Sequence, residues 1–516
     1  MDKIKLGKIN PHLKKEFDII ISNCTGRKHY FINREVKMKL TRCLVCFAVF
    51  AFSLALNAKQ PKYVFLFIGD GMAANHRVMT DQFSRQIGRG PLAMDQLTVK
   101  ALTTTLSADK LITDSAAAAT ALACGVKAKN CMLGCDAKGK YVPSCATLAK
   151  KSGKKVGIIT TVTTTHATPG GFYTRGRSRG KNYDVAADLV NSGFDFFAGG
   201  GLDRKFNDTK NPNYKKYGNI YEYAKKKGYK VVTNKKEFLA LKRSSGKVLT
   251  RFTDLVYPYD IDITNDESKL YPTVAQLLKK CVEVIDNPKG FFIMVEGGRI
   301  DWSAHANDAA TTVRDIVALD DAVRVALEFM KKHPKDTLIV ATGDHETGGL
   351  TAGVAGVTST SDISILTNQT TSIREFDEKM RQAVLKNQKF NFEDGKKMIT
   401  KSFGLKFEGD PEKDLMVLTN EEIAKVKADF ENDLAKLLAN MIKKKDAVEY
   451  LTVSVHRLGI RLGKLISKRA GVSWAHTHHS GQPVILSAEG CCADLFKKGK
   501  MENSEVGKIL KSFYQK

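Results

Sequence analysis

The chain has 516 residues, of which 82 are Lys or Arg and 55 are Asp or Glu, so its formal net charge is +27. An apolar fraction of 43% excludes a wholly disordered chain, and the lack of a short-period repeat excludes collagen, a coiled coil or a solenoid. The charge excess suits a phosphorylated substrate, a nucleic acid or an anionic surface, and equally a solvated, lysine-rich exterior.

The N-terminal segment differs in composition from the rest of the chain. Residues 43–56 form an uncharged apolar run that follows a basic stretch and precedes small residues up to Ala58. The run is shorter than the roughly 20 residues of a membrane span and matches the apolar region of a secretory signal. We therefore predict a signal peptide at residues 38–58, preceded by a polar extension at residues 1–37, and a secreted or periplasmic protein. A signal-anchor is the alternative.

From Lys62 onward, apolar runs rich in β-branched residues alternate with helical patterns, which is typical of an α/β fold with a mostly parallel sheet. Four of these runs end in side chains that metal ions bind, namely Asp70, His166 with Thr168, Glu296, and Asp344 with His345. Ligands of open α/β sheets bind beyond the carboxyl ends of the strands, so we expect these side chains to converge. Any one of them alone is explained equally well as a turn or capping residue.

Ser115 stands at the head of an alanine-rich stretch that predicts a helix. The residue, or its neighbours Thr113 and Asp114, can serve simply as a helix cap. As a nucleophile, Ser115 would benefit from the free N–H groups and the dipole of the helix N-terminus, which favour an anion. No Gly-x-Ser-x-Gly motif surrounds it, so a hydrolase triad is not the preferred interpretation.

Three cysteines, Cys131, Cys135 and Cys145, lie close together in one loop-like stretch. In an exported protein this spacing predicts a local disulfide, although the pairing is not readable from the sequence. A zinc ribbon is disfavoured, because no second paired-cysteine motif of suitable spacing follows.

A further group of candidate ligands lies later in the chain. Asp301 and His305 are four residues apart and would share one face of a helix, as a metal-binding pair or as an ordinary exposed pair. The motif HTHHSG holds His476, His478 and His479, of which we expect at least one to bind a metal. Oxygen and imidazole ligands without thiolate suit Zn²⁺, Mg²⁺ or Mn²⁺.

Between residues 358 and 470 the pattern changes to long, charged amphipathic stretches, which predict a helical insertion. Such an insertion is typical of a cap or dimer surface, or of a solvated helical subdomain packed beside the sheet.

Taken together, the motifs FIGDGM, TDSAAAATALACGVK, HATPGGFYTRGRSR, VEGGRIDWSAH, TGDHETGG and HHSG resemble those of the alkaline phosphatase family. The match covers most of residues 61–350 and again 474–512. The resemblance implies a catalytic domain at residues 59–516 with a three-layer αβα fold and a large central sheet. It also implies hydrolysis of phosphate monoesters through a phosphoserine, at a site with two Zn²⁺ and one Mg²⁺.

The same resemblance implies a role for each site residue. Ser115 would be the nucleophile, and Arg179 would clamp two phosphate oxygens, a geometry that lysine does not reproduce. The implied ligands are Asp301, His305 and His479 for the first zinc, Asp70, Asp344 and His345 for the second, and Asp70, Thr168 and Glu296 for magnesium.

Three residues depart from the form of the family that is best known in bacteria. His166 and Trp302 replace Asp and Lys beside the phosphate, so His166 would favour zinc or cobalt over magnesium at the third site. Trp302 lacks a cation for phosphate, which predicts altered phosphate affinity. Thr347 occupies a position where other members often carry histidine, and this weakens the expected tuning of the metal.

Other functions are less well supported. Sulfatases need a Cys or Ser in a C/S-x-P-x-R motif, which the alanines after Ser115 do not provide. No aromatic-interleaved basic motif or groove-reading module indicates specific nucleic-acid binding. The expected partners are therefore small phosphate monoesters, with the positive charge allowing association with anionic surfaces and the family allowing a homodimer.

Overall fold

The structure is a computed structural model that describes residues 60–263, 270–354, 362–387, 389–442 and 457–515. The extension predicted at residues 1–37 and the signal peptide predicted at 38–58 lie outside the described residues. None of the helices in the described ranges combines the length and the apolar character that crossing a membrane requires.

The strands in chain order are β1 (Tyr63–Gly69), β2 (Val99–Thr104), β3 (Met132–Leu133), β4 (Lys155–Thr160), β5 (Arg177–Ser178), β6 (Phe196–Ala198), β7 (Tyr229–Val232), β8 (Lys247–Thr250), β9 (Phe291–Gly297), β10 (Thr337–Gly343), β11 (Glu346–Thr347), β12 (Leu350–Ala352), β13 (Val472–Trp474), β14 (His479–Ser480), β15 (Val484–Gly490) and β16 (Lys500–Glu502). Ten of them form the central sheet in the order β16-β2-β15-β10-β1-β9-β4-β6-β8-β7. β15 pairs antiparallel with both of its neighbours, whereas the other strands of this sheet share one direction. The predicted large and mostly parallel sheet is confirmed.

The α-helices in chain order are α1 (Ala74–Gln86), α2 (Ala93–Gln96), α3 (Ser115–Cys124), α4 (Cys145–Lys151), α5 (Ala167–Tyr173), α6 (Asn182–Ser192), α7 (Tyr214–Tyr217), α8 (Ile220–Lys226), α9 (Lys235–Leu239), α10 (Val274–Ile285), α11 (Arg299–His305), α12 (Ala309–Lys332), α13 (Ile373–Lys386), α14 (Phe392–Phe403), α15 (Asn420–Ile442), α16 (Arg457–Arg469) and α17 (Asn503–Ser512). Helices α3 to α6 and α17 pack on one face of the sheet, and α10 and α12 pack on the other. The predicted three-layer αβα arrangement is confirmed.

Strand β1 shows why the sheet is buried on both faces. Its residues alternate between the two hydrophobic clusters, so that Leu66 and Ile68 face α3 to α6 while Phe65 and Phe67 face α10 and α12. All are fully buried, and each such side chain contributes about 1.5–3 kcal/mol to folding. The continuous apolar run YVFLFIG is therefore the expected sequence for a central parallel strand.

The register of the sheet gathers the acids at one edge. Ile68 of β1 lies beside Glu296 of β9, and Gly69 lies beside Gly343 of β10. Asp70 and Asp344 are the next residues after β1 and β10, and Glu296 is the last residue but one of β9, so three carboxylates lie at the carboxyl ends of adjacent strands.

Helices α13 to α16 lie in the segment predicted to be a helical insertion, and they build a third hydrophobic cluster. This cluster includes Met79 and Phe83 of α1 and Val313 of α12, so the insertion packs against the αβα layers. Ser372 caps α13. The backbone N–H of Ser372 donates to Asp262 Oδ1 at 2.7 Å, and the hydroxyl of Ser372 donates to Asp262 Oδ2 at 2.6 Å.

The local disulfide expected among Cys131, Cys135 and Cys145 is not formed in the structure. Cys135 and Cys145 are buried, whereas Cys131 is exposed, and burial raises the pKa of both buried thiols. Cys145 is the first residue of α4 and belongs to the apolar core, whereas Cys131 lies at the surface.

Candidate active site

Ser115 is the first residue of α3, with its side chain almost completely buried. Its Oγ donates toward Asp70 Oδ1 at 3.4 Å and lies 3.2 Å from His345 Nε2. The alanines behind Ser115 make a stable helix without bulky side chains, and the helix ends at Gly125 in the left-handed conformation (φ +68°). The hydroxyl therefore stands where free backbone N–H groups and the helix dipole favour an anion.

Asp114 is the N-cap of α3, and its Oδ1 accepts the backbone N–H of Ala117 at 3.0 Å. Its other oxygen, Oδ2, accepts from the backbone N–H of Cys131 and from Arg179 Nη1, at 3.0 and 3.1 Å. The Arg179 side chain keeps about a third of its surface exposed, 32%. The predicted nucleophile and the predicted phosphate clamp are thus tied together through one carboxylate.

The first cluster of candidate ligands consists of Asp301, His305 and His479. Asp301 Oδ1 lies 3.3 Å from His305 Nε2 and 3.5 Å from His479 Nε2, and these two nitrogens are 3.2 Å apart. The spacing of four residues does place Asp301 and His305 on one face of α11. His479 arrives from β14, which pairs with β11 so that His479 lies opposite Thr347.

The tautomers in this cluster follow from its backbone contacts. His305 Nδ1 lies 2.6 Å from the carbonyl oxygen of Thr477, and His479 Nδ1 lies 2.9 Å from that of Thr113. A carbonyl only accepts, so each Nδ1 carries the hydrogen and each neutral ring turns the lone pair of Nε2 toward Asp301. Two imidazole lone pairs and a carboxylate oxygen then converge on one point, which is the donor set of a divalent cation.

The charges in this cluster are strongly coupled. Burial opposes ionisation of Asp301, but hydrogen bonds from His305 and His479 outweigh it and hold the pKa of Asp301 well below its usual range. Burial lowers the pKa of His305, but the hydrogen bond and the charge of Asp301 raise it more, so that it reaches about 9. A proton at His305 occupies the place where a metal ion would bind, and metal binding would release it.

The second cluster consists of Asp70, Asp344 and His345. His345 Nε2 lies 3.1 Å from Asp70 Oδ1 and 3.6 Å from Asp344 Oδ2. Asp344 Oδ1 accepts from the backbone N–H groups of Gly71 and His345, whereas its buried Oδ2 has no hydrogen-bond partner among the described residues. Burial and the charge of Asp70 raise the pKa of Asp344 well above its usual range, a cost that a bound cation would relieve. Asp301 also lies within ligand distance of Asp70 and His345.

The third cluster consists of Asp70, His166 and Glu296. His166 Nδ1 lies 3.4 Å from Glu296 Oε1 and 3.8 Å from Asp70 Oδ2, and Thr168 donates to the same Asp70 oxygen at 3.2 Å. On its other edge, His166 Nε2 lies 3.4 Å from Arg179 Nη2. His166 is therefore placed both with the candidate ligands and with the candidate phosphate clamp.

Trp302 lies beside this cluster, with its ring centroid 6.3 Å from that of His166. The guanidinium of Arg299 lies 5.3 Å from the Trp302 ring, and that of Arg374 lies 5.6 Å from it. Arg374 belongs to α13, so the helical insertion contributes a side chain at the rim of the site.

Thr347 donates to Asp301 Oδ1 at 2.6 Å and lies 3.3 Å from His345 Nδ1, so it contacts two candidate ligands at the position where other family members often carry histidine. Two other site residues were not predicted from the sequence. Thr160 donates to Glu296 from the neighbouring strand. Gly71 packs closely against Thr347, since its φ is +75° and a Cβ there would lie 2.8 Å from Thr347 Oγ1. The only sequence signal for this contact was the glycine itself, in the run Gly-Asp-Gly.

The remaining histidines of the HTHHSG motif lie outside the three clusters. His478 is exposed, and its backbone N–H donates to His476 Nδ1 at 3.3 Å. Of the three, His479 alone lies with other candidate ligands in the described part of the chain, so it is the one that the expected metal binding would involve.

In the described part of the chain, three groups have donor atoms close enough to share a metal ion: Asp301, His305 and His479; Asp70, Asp301 and His345; and Asp70, His166 and Glu296. Glu296 Oε1, His166 Nδ1 and Asp344 Oδ2 are buried and make no hydrogen bond within the described part of the chain. Buried polar atoms are rarely left without partners, and carboxylates clustered around imidazoles need a positive charge to offset their repulsion. Oxygen and nitrogen donors without sulfur suit Zn²⁺ and Mg²⁺.

Comparisons with known proteins agree with this geometry. A family model described as alkaline phosphatase matches residues 61–516. Alkaline phosphatase 4 of Bacillus subtilis is 31% identical over 412 residues, covering 78% of this chain and 76% of the relative, and alkaline phosphatase 3 of the same organism is 29% identical over 469 residues, covering 88% of each chain. The crystal structure of a cold-active alkaline phosphatase from a psychrophilic Shewanella species superposes with a TM-score of 0.72 at 26% identity, covering 88% of this chain and 100% of that one.

Proposed function

The chain belongs to the alkaline phosphatase family and is a phosphatase, and we propose that it hydrolyses phosphate monoesters through a phosphoserine formed on Ser115. The observation that carries the proposal is the position of Ser115. Its hydroxyl lies at a helix N-terminus, within reach of Asp70 and His345 and next to the Arg179 guanidinium held by Asp114.

In the proposed reaction the protein first fixes the phosphate. Arg179 donates two N–H groups to two phosphate oxygens, and the N–H groups at the start of α3 face the same anion. Ser115 Oγ gives up its proton to solvent and attacks phosphorus opposite the ester oxygen. The new P–O bond to serine forms as the ester P–O bond breaks, and the leaving alkoxide takes up a proton from solvent and departs as the alcohol. Water then loses a proton and attacks phosphorus as the bond to Ser115 breaks, Ser115 Oγ takes up a proton, and phosphate leaves.

We propose that two Zn²⁺ bind at Asp301, His305 and His479 and at Asp70, Asp344 and His345, and that a third ion binds at Asp70, Thr168 and Glu296. When bound, such cations supply Lewis-acid stabilisation of developing negative charge and lower the pKa of oxygen nucleophiles. The third site would take Mg²⁺ if oxygen ligands alone formed it, but the imidazole of His166 beside Glu296 favours Zn²⁺ there.

His166 and Trp302 complete the proposed substrate site. His166 Nε2 faces Arg179 and so helps to orient the guanidinium toward the phosphate. Trp302 presents an aromatic ring where a lysine would offer a cation, and the proposed site therefore relies on Arg179 for direct ionic contact with phosphate.

The test compares three esters of one leaving group: 4-nitrophenyl phosphate, bis(4-nitrophenyl) phosphate and 4-nitrophenyl sulfate. We expect turnover of the monoester to dominate, to disappear after chelation and to return with Zn²⁺. Ser115→Ala should remove the phosphoserine that acid quenching and mass spectrometry detect in the wild-type protein. Preferred turnover of the diester or sulfate, or monoester turnover that survives exhaustive chelation, would contradict the proposal.

Export through a signal peptide at residues 38–58 and assembly into a homodimer stay predictions. The mass of the N-terminal peptide of the protein recovered from the medium or periplasm tests the first, since cleavage would leave a chain that begins after Ala55 or Ala58. Sedimentation of the purified protein tests the second.

A further inference from the structure

The end of the sheet at which the parallel strands begin, opposite the candidate active site, carries a concentration of lysines. We call it the basal face and define it by eight lysines. Seven of them lie at the first residue of β1, β4, β7, β8, β9 or β10 or within two residues before it, namely Lys62, Lys154, Lys155, Lys227, Lys247, Lys289 and Lys335, and the eighth, Lys151, is the last residue of α4, which precedes β4. These strands are parallel, so their first residues meet at one edge of the sheet and their last residues, with the candidate ligands, meet at the other.

Backbone contacts tie one half of the basal face together. Lys154 Nζ donates to the carbonyl oxygens of Lys62 and Lys289 at 2.8 and 3.1 Å. The backbone N–H of Lys62 donates to the carbonyl oxygen of Asp336, which follows Lys335, at 2.8 Å. Burial and the neighbouring charge of Lys62 lower the pKa of Lys154 to about 8, as expected where ammonium groups are crowded.

The other half lies at the starts of β4, β7 and β8. Lys247 Nζ donates to the carbonyl oxygen of Lys227, and Lys150 and Lys155 both pair with Asp195, at 2.7 and 2.8 Å. Burial and the charges of Lys150 and Lys227 lower the pKa of Lys247. Lys150 and Lys155 thus share the single carboxylate of Asp195, and Lys247 lies close to the same charges.

Acidic residues do not balance this charge. The carboxylates next to these lysines include those of Asp195, Asp286 and Asp336. Asp195 is shared as described, and Asp286 pairs with Arg243 at 3.2 Å. Four basal lysines are exposed and have no carboxylate within ion-pair distance in the described ranges: Lys151, Lys227, Lys289 and Lys335. The face therefore presents a net positive surface to solvent.

We propose that the basal face docks the protein onto an anionic lipid bilayer, with the candidate active site turned toward the solution. The seven residues of β1 span roughly 23 Å, so a flat surface bound at the start of the strand leaves the far end open to soluble esters. Each Lys near an anionic leaflet adds to the attraction, without a need for specific geometry.

The same observations favour a bilayer over a nucleic acid. The exposed cations are lysines. Lys335, Lys289 and Lys227 precede β10, β9 and β7, which are not neighbours in the sheet, and Lys151 ends α4. They are therefore spread out rather than being arginines arranged for bidentate contacts. The aromatic rings nearest to them are already covered, because Lys247 lies over Tyr229 at 4.5 Å and Lys227 lies over Tyr223 at 5.6 Å. Those faces are not open for base stacking, which single-stranded nucleic-acid sites use.

The test is co-sedimentation of the purified full-length chain with vesicles of phosphatidylcholine, alone or mixed with phosphatidylglycerol. The basal variant is K151Q/K227Q/K289Q/K335Q. Its matched control is K379Q/K386Q/K397Q/K401Q, which removes four exposed lysines from α13 and α14 and lowers the net charge equally. Circular dichroism confirms that both variants are folded.

We expect binding of the wild-type protein to rise with the phosphatidylglycerol fraction and to fall with salt. The basal variant should lose about a hundredfold in partition coefficient, and the control should lose less than about threefold. Vesicle-bound protein should cleave a soluble monoester at an unchanged rate. Equal losses in the two variants, binding that ignores phosphatidylglycerol, or tighter binding to duplex DNA than to vesicles would overturn the proposal. Inhibition by bound vesicles would overturn the orientation.

This proposal does not depend on the reaction mechanism. Ser115→Ala should bind vesicles as the wild-type protein does, so a failure of the proposed function and a failure of the docking surface are separately visible.

Discussion

Asp114 and Arg179 are joined by a hydrogen bond of 3.1 Å that couples the cap of the nucleophile's helix to the guanidinium proposed to clamp the phosphate. One oxygen of Asp114 holds α3 at Ala117, and the other holds Arg179. The same carboxylate therefore fixes the start of the helix that carries Ser115 and the orientation of the Arg179 guanidinium.

Asp114→Asn should separate these two roles. Asn caps helices as well as Asp does, so the melting temperature should change little, but the neutral amide holds Arg179 less firmly. We expect the inhibition constant for phosphate and KM for 4-nitrophenyl phosphate to rise about tenfold. Asp114→Ala should in addition lower the free energy of unfolding by about 1 kcal/mol. Unchanged phosphate inhibition in Asp114→Asn would show that the ion pair does not position Arg179.

Thr347→Val should weaken metal binding although Thr347 is not itself a candidate ligand. The hydroxyl donates to Asp301 at 2.6 Å and contacts His345, and removing such a supporting hydrogen bond costs about 10–100-fold in metal affinity. Titration with a zinc chelator, read by metal content, measures the effect. Thr351→Val, on the exposed part of β12, is the control. Equal chelator midpoints for the two variants would count against the role of Thr347.

His166→Asp should change the metal preference of the third cluster. The imidazole Nδ1 faces Glu296 at 3.4 Å, and a carboxylate in its place would make the donor set entirely oxygen, which Mg²⁺ prefers. We expect the chelated variant, reloaded with Zn²⁺, to gain bound Mg²⁺ and a larger activation by Mg²⁺ than the wild-type protein. His166→Asn, which adds no charge, should show neither gain. Identical Mg²⁺ content in the Asp and Asn variants would refute the assignment.

The strand ends were predictable because their signal is local. A buried parallel strand is a continuous apolar run, and the residues at its carboxyl end lie at the ligand-binding edge, so Asp70, Glu296 and Asp344 could be located from sequence patterns alone. The helical spacing of Asp301 and His305 was equally local.

The features of the candidate site and of the sheet that the sequence did not predict depend on contacts between distant segments. The carbonyl oxygens of Thr113 and Thr477 fix the tautomers of His479 and His305, and every residue has a carbonyl, so no residue type marks them. The contact of Arg374 with Trp302 depends on how the insertion packs. The reversed direction of β15 leaves no trace in its hydrophobic pattern.

His76 provides a prediction about stability in acid. It is fully buried in α1, neither ring nitrogen has a side-chain or backbone partner by hydrogen-bond geometry among the described residues, and burial lowers its pKa from 6.5 to about 4. Between pH 6.5 and 4, His76 is protonated in the unfolded chain but stays neutral in the folded protein. The free energy of unfolding should therefore fall by about 3 kcal/mol as the pH falls from 6.5 to 4. His76→Phe keeps an aromatic ring and removes this titration. Denaturant unfolding of the chelated proteins should therefore show a shallower loss in His76→Phe over that pH range, whereas the exposed His478→Gln should follow the wild-type protein. Parallel curves for His76→Phe and the wild-type protein would mean that His76 gains a proton while folded.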